Sequence, residues 1–198
     1  MVSSVITSIL SLAAFAGIHS LTASLPFKRF VLQHFGEKTD KLYLPAYSIV
    51  SMLTILPLIY SLYKNPGKVL YKIPSPWRWL MIMGQLIAGI ATFKAFTDAR
   101  TRFKISSQLA GPDSPESEHL IIQGIYKWIR DPFLLSGLVS IWLTPIMTVN
   151  LFIIDFFATI YLFLGSLHWE SRLVAQFGDE YLEYRKKVHK IIPGLKRS

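Results

Sequence analysis

Long apolar runs are the feature that most limits what this chain can fold into. Three of them, 2–21, 42–63 and 77–96, carry little charge. Each is long enough to cross the hydrocarbon core of a bilayer as a helix, which takes about 20 residues. Only 17% of the chain is charged and 52% is hydrophobic, whereas soluble domains average about 25% charged residues. The runs therefore predict an integral membrane protein built from helices.

A fourth apolar run, 133–168, is long enough for two further spans. The stretch PIMTVN lies in its middle, and its proline, threonine and asparagine suit a turn between antiparallel helices. We predict a helical hairpin of spans 132–148 and 151–168, with one long kinked helix as the alternative. The predicted fold class is all-α: a polytopic membrane helix bundle of about five transmembrane helices, forming a single membrane-embedded domain over 1–198.

The tail 169–198 is predicted to be cytosolic and to carry an amphipathic helix. Gly178 breaks the preceding pattern, and Asp179 is a suitable N-cap for a helix that ends near His189. Lysines near its end suit an anionic membrane surface. One face of this helix carries Tyr181, Tyr184 and Val188.

The distribution of lysine and arginine predicts the orientation of the spans. With five spans, loops 23–41 and 97–131 and the tail after His168 lie on one side and hold 16 of these residues, against four on the other side. Since cytoplasmic loops hold the excess, we expect the N-terminus outside and the C-terminus in the cytoplasm, or in the equivalent matrix or stroma. This placement also explains the net charge of +9 without nucleic acid; the partners expected are membrane lipids.

Polar residues at the predicted cytoplasmic ends of the spans are the candidates for chemistry. His19 and Ser20 end the first span, Arg130 and Asp131 precede the fourth, and Glu170 follows the fifth. Ionisable groups beside membrane helices are costly and often functional. We expect Arg130, Asp131 and Glu170 to converge; alternatively, Arg130 snorkels and Glu170 pairs among the headgroups. The chain has no cysteine, which excludes thiolate metal ligands, and no metal site is predicted.

Three motifs carry a resemblance to a known family. GIYKWIRDP (124–132) resembles the Gly-Ile/Leu-Tyr-Lys/Arg-x-Val/Ile-Arg-His-Pro motif of the isoprenylcysteine carboxyl methyltransferase superfamily, and ESRLVAQFGDEYLEYRKKVHKIIP (170–193) resembles its C-terminal signature. HSLTASLPFKRF (19–30) is similar to the opening of the NnrU, nurim and methanethiol S-methyltransferase-like branch.

The resemblance implies a membrane methyltransferase that uses S-adenosylmethionine and acts on a small thiol or lipophilic acceptor. It implies a cytosol-facing cofactor pocket formed by the last two membrane helices and the C-terminal segment. Arg130 and Glu170 match its catalytic positions, and His19 and Ser20 are expected to contact the acceptor. The residues expected to bind the cofactor are Tyr126, Arg130, Asp131, Pro132, Glu170 and Tyr181, with Tyr126 or Tyr181 as an aromatic wall.

Asp131 departs from the family pattern, which has histidine before Pro132. An aspartate cannot donate a hydrogen bond as a histidine does at neutral pH. This change leaves open a catalytically degenerate member that serves as a structural or assembly subunit of a larger membrane complex. A third alternative is an NnrU-like haem-binding membrane protein, in which His19 and His168 would be the candidate iron ligands.

Overall fold

The computed structural model describes residues 2–36, 39–98, 120 and 122–192. Helices dominate these residues, and the fold class predicted above is confirmed. Pro193, the last residue of the C-terminal motif, lies outside the described residues. The elements in chain order are α1 (Val2–Ala23), α2 (Leu25–Phe35), α3 (Asp40–Lys64), β1 (Val69–Lys72), α4 (Trp77–Asp98), a 3-10 turn (Gly124–Lys127), α5 (Pro132–Trp142), β2 (Ile146–Thr148) and α6 (Val149–Lys187).

Four of the helices are long and apolar enough to cross a membrane. Helices cover the three single spans predicted from the sequence, and α3 keeps Pro45 and Pro57 inside its helix. The chain is thus a multi-pass integral membrane protein. The four candidate spans are Ser4–Ala23, Leu42–Lys64, Trp77–Asp98 and Val149–Lys187.

The predicted span 132–148 differs from the structure at its second half. Helix α5 ends at Trp142, so it has 11 residues. That is roughly 16 Å of helix at about 1.5 Å per residue, short of a bilayer core about 30 Å thick. Pro145 lacks the amide that a continuing helix needs, and the residue before a proline avoids helical geometry. The predicted turn at 145–150 is instead the strand β2, which is antiparallel to β1.

Helix α2 lies where the sequence predicted only a loop. The Ser24 side chain accepts a hydrogen bond from the Phe27 amide at 3.3 Å, a proline occupies the first turn, and Gly36, with φ of 82°, ends the helix. A serine at the N-cap, a proline in the first turn and a glycine after the last turn are all typical of helix boundaries. These signals were present in the sequence, but the short length of the segment hid them.

Contacts divide the chain into two compact units. The first comprises Met1–Lys72 and Ile146–Ala158. Within it α1 packs on α3 through a core of Leu12, Leu58 and Ile154. A buried hydrogen bond of 2.8 Å joins the hydroxyls of Ser8 and Ser61. Asn150, at the start of α6, donates to the carbonyl oxygen of Asn65 at 2.6 Å and so holds the segment that leads into β1.

The second unit comprises Ile73–Pro145 and Thr159–Ser198. Here α4 packs on α5, and Gln85 donates to the carbonyl oxygen of Ser140 at 2.8 Å. The predicted break in α6 is confirmed at Gly178, whose φ is 52°. The helical turns beyond it end at Lys187. Their buried side chains, Tyr181 and Tyr184, form a core with Leu120 and Leu173, and Val188 packs against it.

Candidate functional site

The 3-10 turn that opens the GIYKWIRDP motif is fixed to the end of α4. The Ile125 amide donates to the Asp98 carboxylate at 2.9 Å, and the Gln123 side chain donates to the Asp98 carbonyl oxygen, also at 2.9 Å. Gly124 has a φ of 54°, and a Cβ built there would overlap the Asp98 carboxylate. The turn therefore requires glycine both for its backbone conformation and for the close approach of Asp98.

Tyr126 and Tyr181 lie in two hydrophobic clusters of the second unit. Tyr126 is 4% exposed and its hydroxyl donates to the Ala95 carbonyl oxygen at 3.3 Å. Its own carbonyl oxygen accepts a 2.6 Å hydrogen bond from the Tyr184 hydroxyl. Tyr181 stacks edge-on against Tyr184, with ring centroids 5.7 Å apart. These contacts join the GIYK turn to the last turns of α6, and the role of either tyrosine as a cofactor wall stays a prediction.

Arg130 connects the motif to both α6 and the C-terminal segment. Its guanidinium Nη1 donates to the Glu170 carboxylate, and its Nε donates to the Val188 carbonyl oxygen at 2.7 Å. The Arg130 amide donates to the His189 carbonyl oxygen at 2.9 Å. The guanidinium is planar and carries several donors in a fixed arrangement, so one side chain can make both contacts at once. The expected approach of Arg130 and Glu170 is present in the structure.

Glu170 is the shared acceptor of a cluster of cations. Besides Arg130, it accepts a hydrogen bond of 3.1 Å from Lys190 Nζ. The Nε of Arg185 lies 3.7 Å from its other oxygen. The side chains of Arg130 and Glu170 are only 11% and 14% exposed, whereas that of Arg185 is 52% exposed. The three cations therefore exceed the one carboxylate they surround. We call Arg130, Glu170, Arg185 and Lys190 the Glu170 cluster.

Asp131 uses both carboxylate oxygens within the protein. One oxygen accepts from the Leu134 amide at 2.9 Å and so caps α5, whose first residue is the buried Pro132. The other accepts a hydrogen bond from the Ser166 hydroxyl of α6. The Asp131 amide donates to the Lys190 carbonyl oxygen at 3.0 Å. Asp131 thus fixes the start of α5 against α6, beside the Glu170 cluster.

We predict that Ser166→Ala lowers the free energy of unfolding, because it removes a half-buried hydrogen bond to a carboxylate. Such bonds contribute about 1.5–3 kcal/mol. The matched control is Ser171→Ala, since Ser171 is exposed and its hydroxyl donates to the His168 carbonyl oxygen of the same helix. Thermal unfolding in detergent, followed by circular dichroism, measures both variants. Equal melting temperatures would contradict the assigned contact between Asp131 and Ser166.

His19 belongs to the first unit and lies near the end of α1. One ring nitrogen is 3.0 Å from the Ser51 hydroxyl, and the other is 2.8 Å from the Tyr47 hydroxyl. The ring also packs against Phe15, with centroids 5.2 Å apart. Ser20 follows at an exposed position. The convergence of these two residues with the Glu170 cluster, and their contact with an acceptor, stay predictions.

Three members of the site were not singled out from the sequence. Arg185 and Lys190 lie inside the C-terminal motif. Lys190 was interpreted as a cation facing the membrane surface, and Arg185 was counted only among the basic residues of the tail. Ser166 precedes Glu170 by four residues, so both fall on one face of α6. Its helical spacing from Glu170 could therefore have identified Ser166 as part of the site. The position of Lys190 inside the C-terminal motif could have identified Lys190.

These features define a class: a multi-pass membrane protein with a cation-rich carboxylate cluster at the end of its last apolar helix. The NnrU protein family matches residues 8–179, and the chain belongs to this family. The resemblance inferred from the motifs is thereby confirmed.

The chain is also similar to several named enzymes. It is 26% identical to methanethiol S-methyltransferase of Mycobacterium tuberculosis over 96% of this chain and 78% of that relative. It is likewise 26% identical to methanethiol S-methyltransferase 1 of Bradyrhizobium diazoefficiens, over 96% of this chain and 67% of the relative. The enzyme of the same name from Pseudomonas deceptionensis is 36% identical over 37% of this chain and 28% of its own length. No solved structure matches this chain.

Proposed function

We propose that this chain is an integral membrane methyltransferase that uses S-adenosylmethionine and methylates a small thiol or lipophilic acceptor. The relatives named methanethiol S-methyltransferase support this activity and favour a thiol. The observation that carries the proposal is the Glu170 cluster, which joins GIYKWIRDP to the C-terminal motif through Arg130 and Lys190. In the proposed orientation the cluster faces the cytoplasm and the N-terminus lies outside. This orientation requires the segment 132–145, although its helix is short, to return the chain to the side where β2 pairs with β1.

The chemistry of the cluster fits the amino-acid end of S-adenosylmethionine. That end carries a carboxylate, an ammonium and the sulfonium. A carboxylate suits the surplus cations, and Arg185 is the most exposed of them. The ammonium and the sulfonium are positive and would be attracted to the Glu170 carboxylate, which already accepts hydrogen bonds at the centre of the cluster. When bound, S-adenosylmethionine supplies an activated methyl group on its sulfur.

The protein's part in such a reaction is orientation. Displacement at a methyl carbon needs the acceptor in line with the leaving sulfur, and holding two reactants in line can remove about 7–11 kcal/mol of the barrier. Arg130 is fixed by Glu170 and by the Val188 carbonyl oxygen, so it offers a rigid contact. His19 and Ser20 remain our candidates for contacting the acceptor. In this proposal Arg130 and Glu170 act by positioning the donor.

The test of this function is methyl transfer by the purified protein in liposomes. The donor is S-adenosylmethionine, and the acceptors are methanethiol and a long-chain alkanethiol. We expect the methyl sulfide of at least one acceptor in headspace or extract chromatography, at a rate proportional to protein. Absence of every product from a folded sample would contradict the proposal and favour the structural-subunit alternative.

Arg185→Ala is predicted to weaken S-adenosylhomocysteine binding by about tenfold, which is about 1.4 kcal/mol. It should leave 5′-methylthioadenosine unaffected, because that ligand lacks the amino-acid end. Lys187→Ala is the matched control, since it removes the same charge from the exposed surface two residues away. Isothermal calorimetry measures the affinities of the unmodified protein and of both variants for both ligands. An equal loss of affinity for both ligands would show that Arg185 does not contact the carboxylate of S-adenosylhomocysteine.

A further inference from the structure

Helix α2 buries a charged side chain and exposes aromatic ones. Lys28 is 3% exposed, whereas Phe30 is 51% and Phe35 is 70% exposed. A surface helix of a protein in water shows the opposite arrangement, with charges outward and apolar side chains against the core. The outward face of α2 therefore meets a medium that accepts aromatic rings more readily than water does.

The same outward face also carries polar groups. Arg29 and His34 are exposed, and the His34 ring lies 4.1 Å from that of Phe30. A helix that presents aromatic and basic side chains together is typical of the boundary between headgroups and acyl chains. Rings enter the apolar side of that boundary, and long basic side chains extend to its wet side. This composition indicates the interface rather than the bilayer centre.

The contacts of the inward face of α2 show where the helix lies relative to the ends of α1 and α3. Lys28 Nζ lies 5.5 Å from the centre of the Tyr43 ring, in the first turns of α3. The Tyr43 hydroxyl donates to the Thr22 carbonyl oxygen at 2.6 Å, in the last turn of α1. Lys28 therefore lies against the point where two membrane-spanning helices end. Only Ser24 separates α2 from α1 along the chain.

We propose that α2 lies in the membrane interface, with Phe30 and Phe35 inserted at the boundary between phospholipid headgroups and acyl chains. The occupant of the exposed face is lipid, because α2 is joined through one residue to a spanning helix and cannot leave the membrane surface. Lys28 faces inward and orients the helix, so that the rings turn toward lipid. This role is independent of the methyltransferase activity.

The absence of cysteine from the chain makes the test direct. Single variants Phe30→Cys and Phe35→Cys are labelled with a nitroxide, and the protein is reconstituted into phosphatidylcholine liposomes. Power-saturation spectroscopy then measures collisions of each label with oxygen, which concentrates in the bilayer, and with a water-soluble nickel chelate. Ile90→Cys, on the exposed face of α4 at 69% exposure, is the lipid reference. Lys186→Cys, 71% exposed beyond the Gly178 break, is the aqueous reference.

We expect both α2 labels to collide with oxygen more than with nickel, at ratios between the two references and well above that of the Lys186 position. Ratios equal to the Lys186 reference would place α2 in water and overturn the proposal. Labels shielded from both reagents would show that protein covers the face, and this result would also overturn it. Circular dichroism of each labelled variant confirms that the helices are intact.

Discussion

Glu170→Gln is expected to reduce methyl transfer by about 100-fold, a loss comparable to that from removing one well-placed electrostatic contact in other enzymes. Glutamine keeps the shape of the side chain but removes the charge that Arg130, Arg185 and Lys190 share. The variant should also unfold more easily. Breaking a buried ion pair costs about 3–5 kcal/mol, and we expect the lower part of that range because both partners keep slight exposure.

Glu183→Gln is the matched control for Glu170→Gln. It makes the same substitution in α6, at a carboxylate that pairs with Lys186 in an exposed ion pair. Exposed pairs contribute little, at most about 1 kcal/mol, so both rate and melting temperature should stay near those of the unmodified protein. If the two variants behave alike in radiometric methyl-transfer and melting assays, the Glu170 cluster is not the centre of the site.

Gly124→Ala should be the most damaging substitution of one small residue by another. The added Cβ strains a left-handed backbone and displaces the Asp98 carboxylate from the Ile125 amide. The strain costs about 1–2 kcal/mol and the lost hydrogen bond a similar amount, which together make about 2–4 kcal/mol. Thermal unfolding in detergent gives the loss. Because the turn leads into Arg130, affinity for S-adenosylhomocysteine should fall as well.

The control for this substitution is Gly89→Ala. Gly89 lies inside α4, with open space where a Cβ would stand, and alanine favours helix over glycine by up to about 1 kcal/mol. Its melting temperature should therefore equal or exceed that of the unmodified protein. Similar losses for Gly89→Ala and Gly124→Ala would show that the turn at Gly124 has no special requirement for glycine.

The sequence was most informative where the determinant is local. Length and hydropathy identified the three single spans, because a bilayer requires about 20 apolar residues in succession. The break at Gly178 followed from one residue that tolerates positive φ. Both determinants are contained in a short window of sequence, and the structure agrees with them.

The sequence was least informative where distant segments meet. Strand β2 exists because it pairs with β1, 74 residues or more away, and its own composition equally suits a turn. The contact of Lys190 with Glu170 likewise depends on how the tail returns along α6. Such pairings can be predicted only when the whole topology is known. The local pattern therefore predicted the end of a helical span where the structure has β2.

Asp131 is an intermediate case, in which the signal was present but was interpreted differently. An aspartate followed by proline at the start of an apolar run is a typical helix N-cap with proline at the first helical position. The structure has this arrangement at the start of α5. The sequence comparison with the family pattern drew attention to a lost histidine. The contact with Ser166 of α6 could not be read from either signal.

The Glu170 cluster is proposed to bind the amino-acid end of a sulfonium methyl donor. Calorimetric titration of the detergent-solubilised protein with S-adenosylhomocysteine tests it most directly. We predict a single site with a dissociation constant on the order of micromolar, lost in Glu170→Gln and kept in Glu183→Gln. No heat of binding from a sample that circular dichroism shows to be folded would contradict the claim.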